Sequence, residues 1–229
     1  LYTGDFGSNL SPFLKPNEMV PRADIAIVEG TYGVDGAPLD SREAFRRVVG
    51  EAIRAGQRVI IPAFVLDRSQ QVLHELGVGR RSGLIPPEVP VKVFSPTIAR
   101  INHIYRDIFT TAPFAPFFIE TFTREGPFGF DFRELNRLPK LSAKVGYGEI
   151  WVGSSGMAEH VYTREFAKAW VTDPRTTFIF VSYQEPESTG GKLTALDGAS
   201  REITIDGQAF PDRAAIRRFN CFGGHGRVE

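Results

Sequence analysis

The residues in this sequence with types suited to chemistry lie near its two ends and just past its apolar runs. "CFGGHGRVE" sets His225 between glycines, whose missing side chains let a backbone fold close to a ligand. "LYTGDFGSN" puts Asp5 in a Thr-Gly-Asp turn. Both look like parts of a reaction site, so the chain reads as a piece of something larger. Each also has an ordinary reading: Asp before a loop is common turn chemistry, and a lone glycine-flanked histidine is not catalytic by type alone. Glu29 closes "ADIAIVEGT", Arg68 follows "QRVIIPAF", and Ser154-Ser155-Gly156 follow "EIWVG". By type, Glu29 is equally a carboxylate capping a strand-to-loop turn, and Arg68 a helix-surface ion pair. The Ser155-Gly156 backbone is either a tight turn ahead of a helix or a set of N–H groups presented to a phosphate oxygen.

These residues acquire meaning from the elements that must hold them. "ADIAIVEGT", "QRVIIPAF", "VPVKVFS", "EIWVGSSG" and "TTFIFVSYQ" are short, nearly continuous apolar runs, the pattern of strands buried on both faces. Between them, "DSREAFRRVVGEAIRAG" predicts an amphipathic helix with Asp40 and Glu43 as a capping box and Gly56 as a stop. "DRSQQVLHEL" predicts a second helix, "PTIARINHIYRDIF" a third with Pro96 at its first position, and residues 160–171 a fourth. "REITIDGQAF" predicts a hairpin turning at Asp206-Gly207. Residues 110–132, crowded with Phe, Pro and Gly, predict a long excursion or lid. Of the other histidines, His74 and His103 fall inside helices and His160 opens one. Alternation of strand and helix implies an α/β fold, a parallel Rossmann-like sheet with helices on both faces. Ligands gather at the carboxyl ends of such strands, where Glu29, Phe64 to Arg68, Ser154 to Gly156 and Tyr183-Gln184 converge.

Composition narrows the partners. The chain has 229 residues, 42% of them hydrophobic, and zero formal net charge, which argues against gripping nucleic acid through a broad basic field. Arginine outnumbers lysine 21 to 6; this reads as coding bias, as surface ion pairs, or as bidentate phosphate contacts. One cysteine, Cys221, excludes an internal disulfide and a thiol-ligated zinc. No apolar run is long enough to span a bilayer and no secretory signal pattern opens the sequence, so a reducing cytoplasm and no membrane are expected. A Rossmann-type nucleotide domain is disfavoured, because no GxGxxG follows the first strand.

"TGD", "ADIAIVEGTYG", "RVIIPAFVLDRSQQVLHEL", "IWVGSSGM", "DPRTTFIFVSYQ", "STGGKL" and "FGGHG" occur in an order and spacing that resembles the β-CASP region of metallo-β-lactamase-fold nucleases. That family includes the cleavage and polyadenylation endonuclease and its bacterial and archaeal relatives. The resemblance spans essentially the whole chain. It implies that residues 1–22 are the edge of a parent metallo-β-lactamase domain, 23–212 the β-CASP domain, and 213–229 the return segment, with the active site in the cleft between domains. Carried over, Asp5 resembles an aspartate bridging two zinc ions, Glu29 the acidic residue of the first insert motif, and His225 the histidine of the second. The implied chemistry is zinc-dependent hydrolysis of RNA phosphodiester bonds, in which two Zn2+ activate water and stabilise developing charge. His225, held and kept protonated by Glu29, would protonate the leaving ribose oxygen. Arg68, Ser154, Ser155 and Gly156 would hold the backbone of single-stranded RNA without reading bases. The His-x-His-x-Asp-His zinc motif is absent from this sequence, so most metal ligands would lie outside it, and the segment alone would be inactive. RNA, the parent domain and a second copy in a homodimer are the expected partners. Two departures, Gly226-Arg227 after the histidine and "AEHVYT" in place of a glycine pair, fit either a divergent bacterial branch of the family or the alternative of an inactive paralogue acting as an RNA-processing scaffold.

Overall fold

Apolar runs with no polar alternation can be satisfied only between two cores, and the sheet of this protein separates two. The computed structural model describes residues 1–5, 7, 11–13, 22–31, 40–111, 126–195 and 202–225. Its helices are α1 (Arg42–Arg54), α2 (Arg68–Arg81), α3 (Pro96–Thr111), α4 (Val161–Trp170) and α5 (Thr189–Ala195). Its strands are β1 (Arg58–Pro62), β2 (Val91–Phe94), β3 (Arg133–Leu135), β4 (Ile150–Gly153), β5 (Thr176–Phe180), β6 (Glu202–Ile205), β7 (Gln208–Pro211) and β8 (Ala215–Arg218). Six of the strands form one sheet in the order β3-β2-β4-β1-β5-β8, with every neighbouring pair parallel.

Side chains alternate across a strand, and each run splits accordingly. Val59, Ile61, Val91, Val93, Val152 and Ile179 point to a core shared with Phe45 and Val49 of α1 and Val72, Leu73 and Leu76 of α2. Ile60, Phe94, Trp151, Phe178 and Phe180 point the other way, onto Phe166 and Trp170 of α4, Leu193 of α5, and Ile203 and Ile205 of β6. The expected α/β architecture, a parallel sheet covered on both faces, is therefore the one observed. The β6–β7 hairpin turns at Asp206 and Gly207, both with positive φ (54° and 74°), as the Asp-Gly pair requires.

Several local readings change. The cap of α1 is Ser41, whose side chain accepts from the N–H groups of Glu43 and Ala44, because Asp40 is taken up elsewhere. Helix α2 buries Gln70, Gln71, His74 and Glu75 as well as its apolar side. Its outer face is closed by the end of the Phe-rich excursion: a Cβ on Gly77 would stand 1.8 Å from the Phe128 carbonyl oxygen, and His74 Nδ1 lies 3.1 Å from that of Pro127. Burial pushes the His74 pKa below its ordinary value. Residues 112–125 of the excursion lie outside the described residues. Ala23–Thr31 is not a strand of this sheet: its backbone pairs with Leu1–Thr3, and Ile25, Ile27 and Val28 are 74%, 60% and 44% exposed. Strands β3 and β8, at the two edges, take up places that apolar runs did not mark.

One charged group sits inside the apolar framework. Arg58, at the start of β1, is fully buried and uses its whole fork. Nε and Nη2 donate to the carbonyls of Val145 (2.8 Å) and Ala143 (3.0 Å), and Nη1 to Thr176 Oγ1 (2.8 Å) and Asp173 (3.2 Å). Its guanidinium lies 4.0 Å from the centre of the Trp170 ring, where the ring quadrupole favours a cation.

Candidate active site

Three chain segments, far apart in sequence, are brought together by backbone pairing. Residues 1–3 run parallel to 26–28, with Tyr2 opposite Ile27: Thr3 N–H donates to the Ile27 carbonyl at 3.1 Å, and Ile27 N–H to that of Leu1 at 2.9 Å. The Glu29 N–H then donates to Thr3 Oγ1 at 3.2 Å. Two parallel segments leave their pairing in the same direction, so Asp5, three residues past Tyr2, and Glu29, two past Ile27, emerge close together. His225 arrives from the sheet. Strand β8 runs parallel to β5, and the Phe219 N–H continues the ladder onto the Phe180 carbonyl at 2.9 Å, carrying the chain to the carboxyl rim. There Asn220 and Asp40 clamp each other: Asp40 N–H donates to Asn220 Oδ1 at 2.6 Å and Asn220 N–H to Asp40 Oδ2 at 2.8 Å. Phe222 is fully buried against Phe45, ring centres 5.0 Å apart. Gly223 and Gly224 follow, and an antiparallel bridge joins His225 to Gly7.

The result is a compact polar cluster. His225 Nδ1 and Glu29 Oε2 are 2.8 Å apart, across 196 residues of sequence. Thr31 Oγ1 donates to the same Oε2 at 2.7 Å. Asp5 completes the group, and ligand atoms of Asp5, Glu29 and His225 all lie within 4.8 Å of one another. The Glu29 side chain is 8% exposed and that of His225 35%, so the carboxylate is sheltered while the ring reaches solvent. Two oxygen donors and one nitrogen donor in this space suit a divalent cation such as zinc, and a hydrogen-bonded carboxylate and imidazole suit proton transfer. Cys221, four residues before the histidine, is a buried thiol whose pKa burial pushes up to about 11; it is a packing residue, not a nucleophile.

A family model of the Beta-Casp domain matches residues 69–193, from the first turn of α2 into α5. The chain belongs to the Beta-Casp family. Among curated proteins it is 27% identical to "Ribonuclease TTHA0252" of Thermus thermophilus, over 98% of this chain and 52% of that one. It is 26% identical to "Endoribonuclease ysh1" of Schizosaccharomyces pombe, over 98% of this chain and 29% of the relative. It is 27% identical to "Cleavage and polyadenylation specificity factor 73" of Drosophila melanogaster, over 92% and 31%. The chain thus spans about half the length of the first relative and about a third of the others.

Asp5, Glu29 and His225 all fall outside the matched Beta-Casp residues, flanking them on both sides. The remaining expected site residues fall at its edge or inside it, on the rim beside the cluster. Arg68 is the first residue of α2, and a Cβ on Gly224 would lie 3.6 Å from its Nη2, so it stands next to the turn that presents His225. Ser69, its neighbour, is tied by N–H (3.1 Å) and hydroxyl (2.5 Å) to the Phe64 carbonyl. Phe64 in turn packs on Gly156, where a Cβ would come within 3.0 Å of the Phe64 nitrogen. Strands β1 and β4 pair with Pro62 opposite Gly153, which is why the loops following them meet. Within its loop, Ser155 Oγ accepts from the N–H groups of Glu159 (3.0 Å) and His160 (3.3 Å), so its oxygen organises the turn ahead of α4. His160 is the N-cap of that helix. Sequence reasoning missed Thr3, Thr31 and the Asp40–Asn220 clamp. Thr31 carried a faint signal, two residues past Glu29, but only the fold shows which oxygen it serves.

Proposed function

We propose that this chain forms one wall of a metal-dependent ribonuclease site that hydrolyses RNA phosphodiester bonds, with Glu29 and His225 as its proton-transfer pair. The observation that carries this reading is the 2.8 Å contact between His225 Nδ1 and Glu29 Oε2, beside a third ligand-type group, Asp5, on a rim that also holds Arg68. The names of two relatives, a ribonuclease and an endoribonuclease, support the RNA-cleaving part of this reading. In this reading Asp5 helps hold zinc, two ions per complete site, with most ligands supplied from outside this chain. Bound zinc supplies Lewis-acid polarisation of a phosphoryl oxygen and lowers the pKa of water.

The chain's own residues do the rest. Glu29 accepts the Nδ1 proton and so fixes the imidazole plane, which turns Nε2, on the far side of the ring, away from Glu29. His225 delivers a proton to the departing ribose oxygen, removing the cost of expelling an alkoxide. Arg68, whose Nη2 faces the turn at Gly224, brings a guanidinium edge toward a phosphate, and the Ser154–Gly156 turn holds the backbone one strand further along the rim. Such contacts fix register and leave base sequence unread.

Metal content separates the roles. In the full-length protein, Asp5→Ala should lower bound zinc, measured by elemental analysis, while Glu29→Gln and His225→Ala keep it. Unchanged zinc in Asp5→Ala would overturn its assignment. The convergence of three ligand atoms within 4.8 Å favours a second reading, one cation held by all three residues, and loss of metal in all three variants would select it.

A further inference from the structure

Glu29 Oε2 lies 2.8 Å from His225 Nδ1 and accepts from the Thr31 hydroxyl at 2.7 Å. Both address the same oxygen, and they come from different directions, one from the return segment after β8 and one from two residues along the same loop. A carboxylate that rotates about its terminal torsion exchanges its oxygens and draws the imidazole with it. Each donor on one oxygen narrows that rotation, and the Thr31 hydroxyl is such a donor. The backbone of Glu29 is held separately, by its N–H on Thr3 Oγ1 at 3.2 Å, so Thr31 acts on the head group.

We propose that Thr31 is a positioning residue of the site: its hydroxyl pins Glu29 Oε2 under His225 Nδ1 and thereby sets the angle at which the imidazole meets the substrate. Thr31 touches no reacting atom in this scheme and acts through Glu29. The inference rests on the reading of Glu29 and His225 as the proton-transfer pair. Partners that orient a functional group from behind typically cost tenfold to a hundredfold when removed, and a hydrogen bond to a charged acceptor is among the stronger kinds.

Two measurements test it. In the full-length protein, Thr31→Val should lower kcat for cleavage of a labelled single-stranded RNA by about tenfold with KM and zinc content nearly unchanged, and Thr31→Ser, which keeps the hydroxyl, should restore most of the rate. In the chain labelled with 15N-histidine, the His225 Nδ1 proton should be protected from solvent exchange in wild type and Thr31→Ser, and exchange faster in Thr31→Val. A Thr31→Val protein with wild-type kcat and an unchanged Nδ1 signal overturns the proposal. So does a loss that Thr31→Ser fails to restore, which marks Thr31 as a packing residue. A wild-type protein that cleaves no RNA overturns the functional reading instead, and the exchange measurement still decides whether Thr31 holds the pair.

Discussion

His225→Ala and Glu29→Gln should each slow RNA cleavage by the full-length protein at least about a hundredfold, the usual scale for a lost general acid. For His225→Ala the loss should fall on kcat, because in the proposed scheme the ring delivers the proton and contributes little to holding the phosphate backbone. Glu29→Gln keeps the shape of the side chain but exchanges a charged acceptor for a neutral amide that can present its NH2 to Nδ1. The imidazole then loses the partner that sets its orientation, and the 2.8 Å contact is replaced by a weaker or inverted one. The Glu29 side chain is only 8% exposed, so water does not readily substitute for the missing interaction. Neither residue carries the fold: His225 lies past the last strand, and the backbone of Glu29 stays anchored on Thr3. Full activity in either variant would remove that residue from the mechanism.

The largest effect on stability is expected at Arg58. Truncation to alanine leaves two carbonyls, the Thr176 hydroxyl and the Asp173 carboxylate without the donor they share, and opens a void beside Trp170. Removing one partner of a buried charge pair costs about 3–5 kcal/mol, and urea unfolding of the chain should show a loss of that order. A loss under about 1 kcal/mol would mean that water repairs the site. The same cluster gives stability a pH dependence. Burial raises the pKa of Asp173, but the Tyr147 hydroxyl, the Arg175 N–H and the Arg58 charge outweigh it and hold the carboxyl below its ordinary value. A carboxyl depressed in the folded state stabilises above its unfolded pKa, about 3.9, and that stabilisation fades as pH falls through the lower folded value. Arg58→Ala should therefore reduce both stability at neutral pH and the further loss on acidification below about pH 4.

Most elements of the fold were legible because their signals are local. The runs at β1, β2, β4 and β5, the helices between them and the Asp206-Gly207 turn each follow from residues in contact along the chain. Strands β3 and β8 escaped because "REL" and "AIRR" sit at sheet edges, half-exposed, with no apolar run to mark them. Yet β8 is what delivers His225 to the rim. Ala23–Thr31 misled for the opposite reason: its apolar pattern asks for cover on two sides, and among the described residues only a single parallel pairing meets it. Asp5, Glu29 and His225 could be named from sequence motifs, and the fold brings all three together. The clamp of Asp40 on Asn220 and the hydroxyl of Thr31 could not, since each is a contact whose partner depends on tertiary placement. Nothing in the "QRVIIPAF" run marks Arg58 as buried; α4 and the loop before β4 close over it.

Cleavage of an end-labelled single-stranded RNA by the full-length protein, with and without prior removal of metal by a chelator, decides whether Asp5, Glu29 and His225 belong to a metal-dependent nuclease site. Hydrolysis should disappear with the metal and return when zinc is restored. RNA left intact under all conditions, though bound, would contradict that assignment and favour an RNA-processing scaffold; cleavage indifferent to chelation would contradict the metal-dependent site built around Asp5.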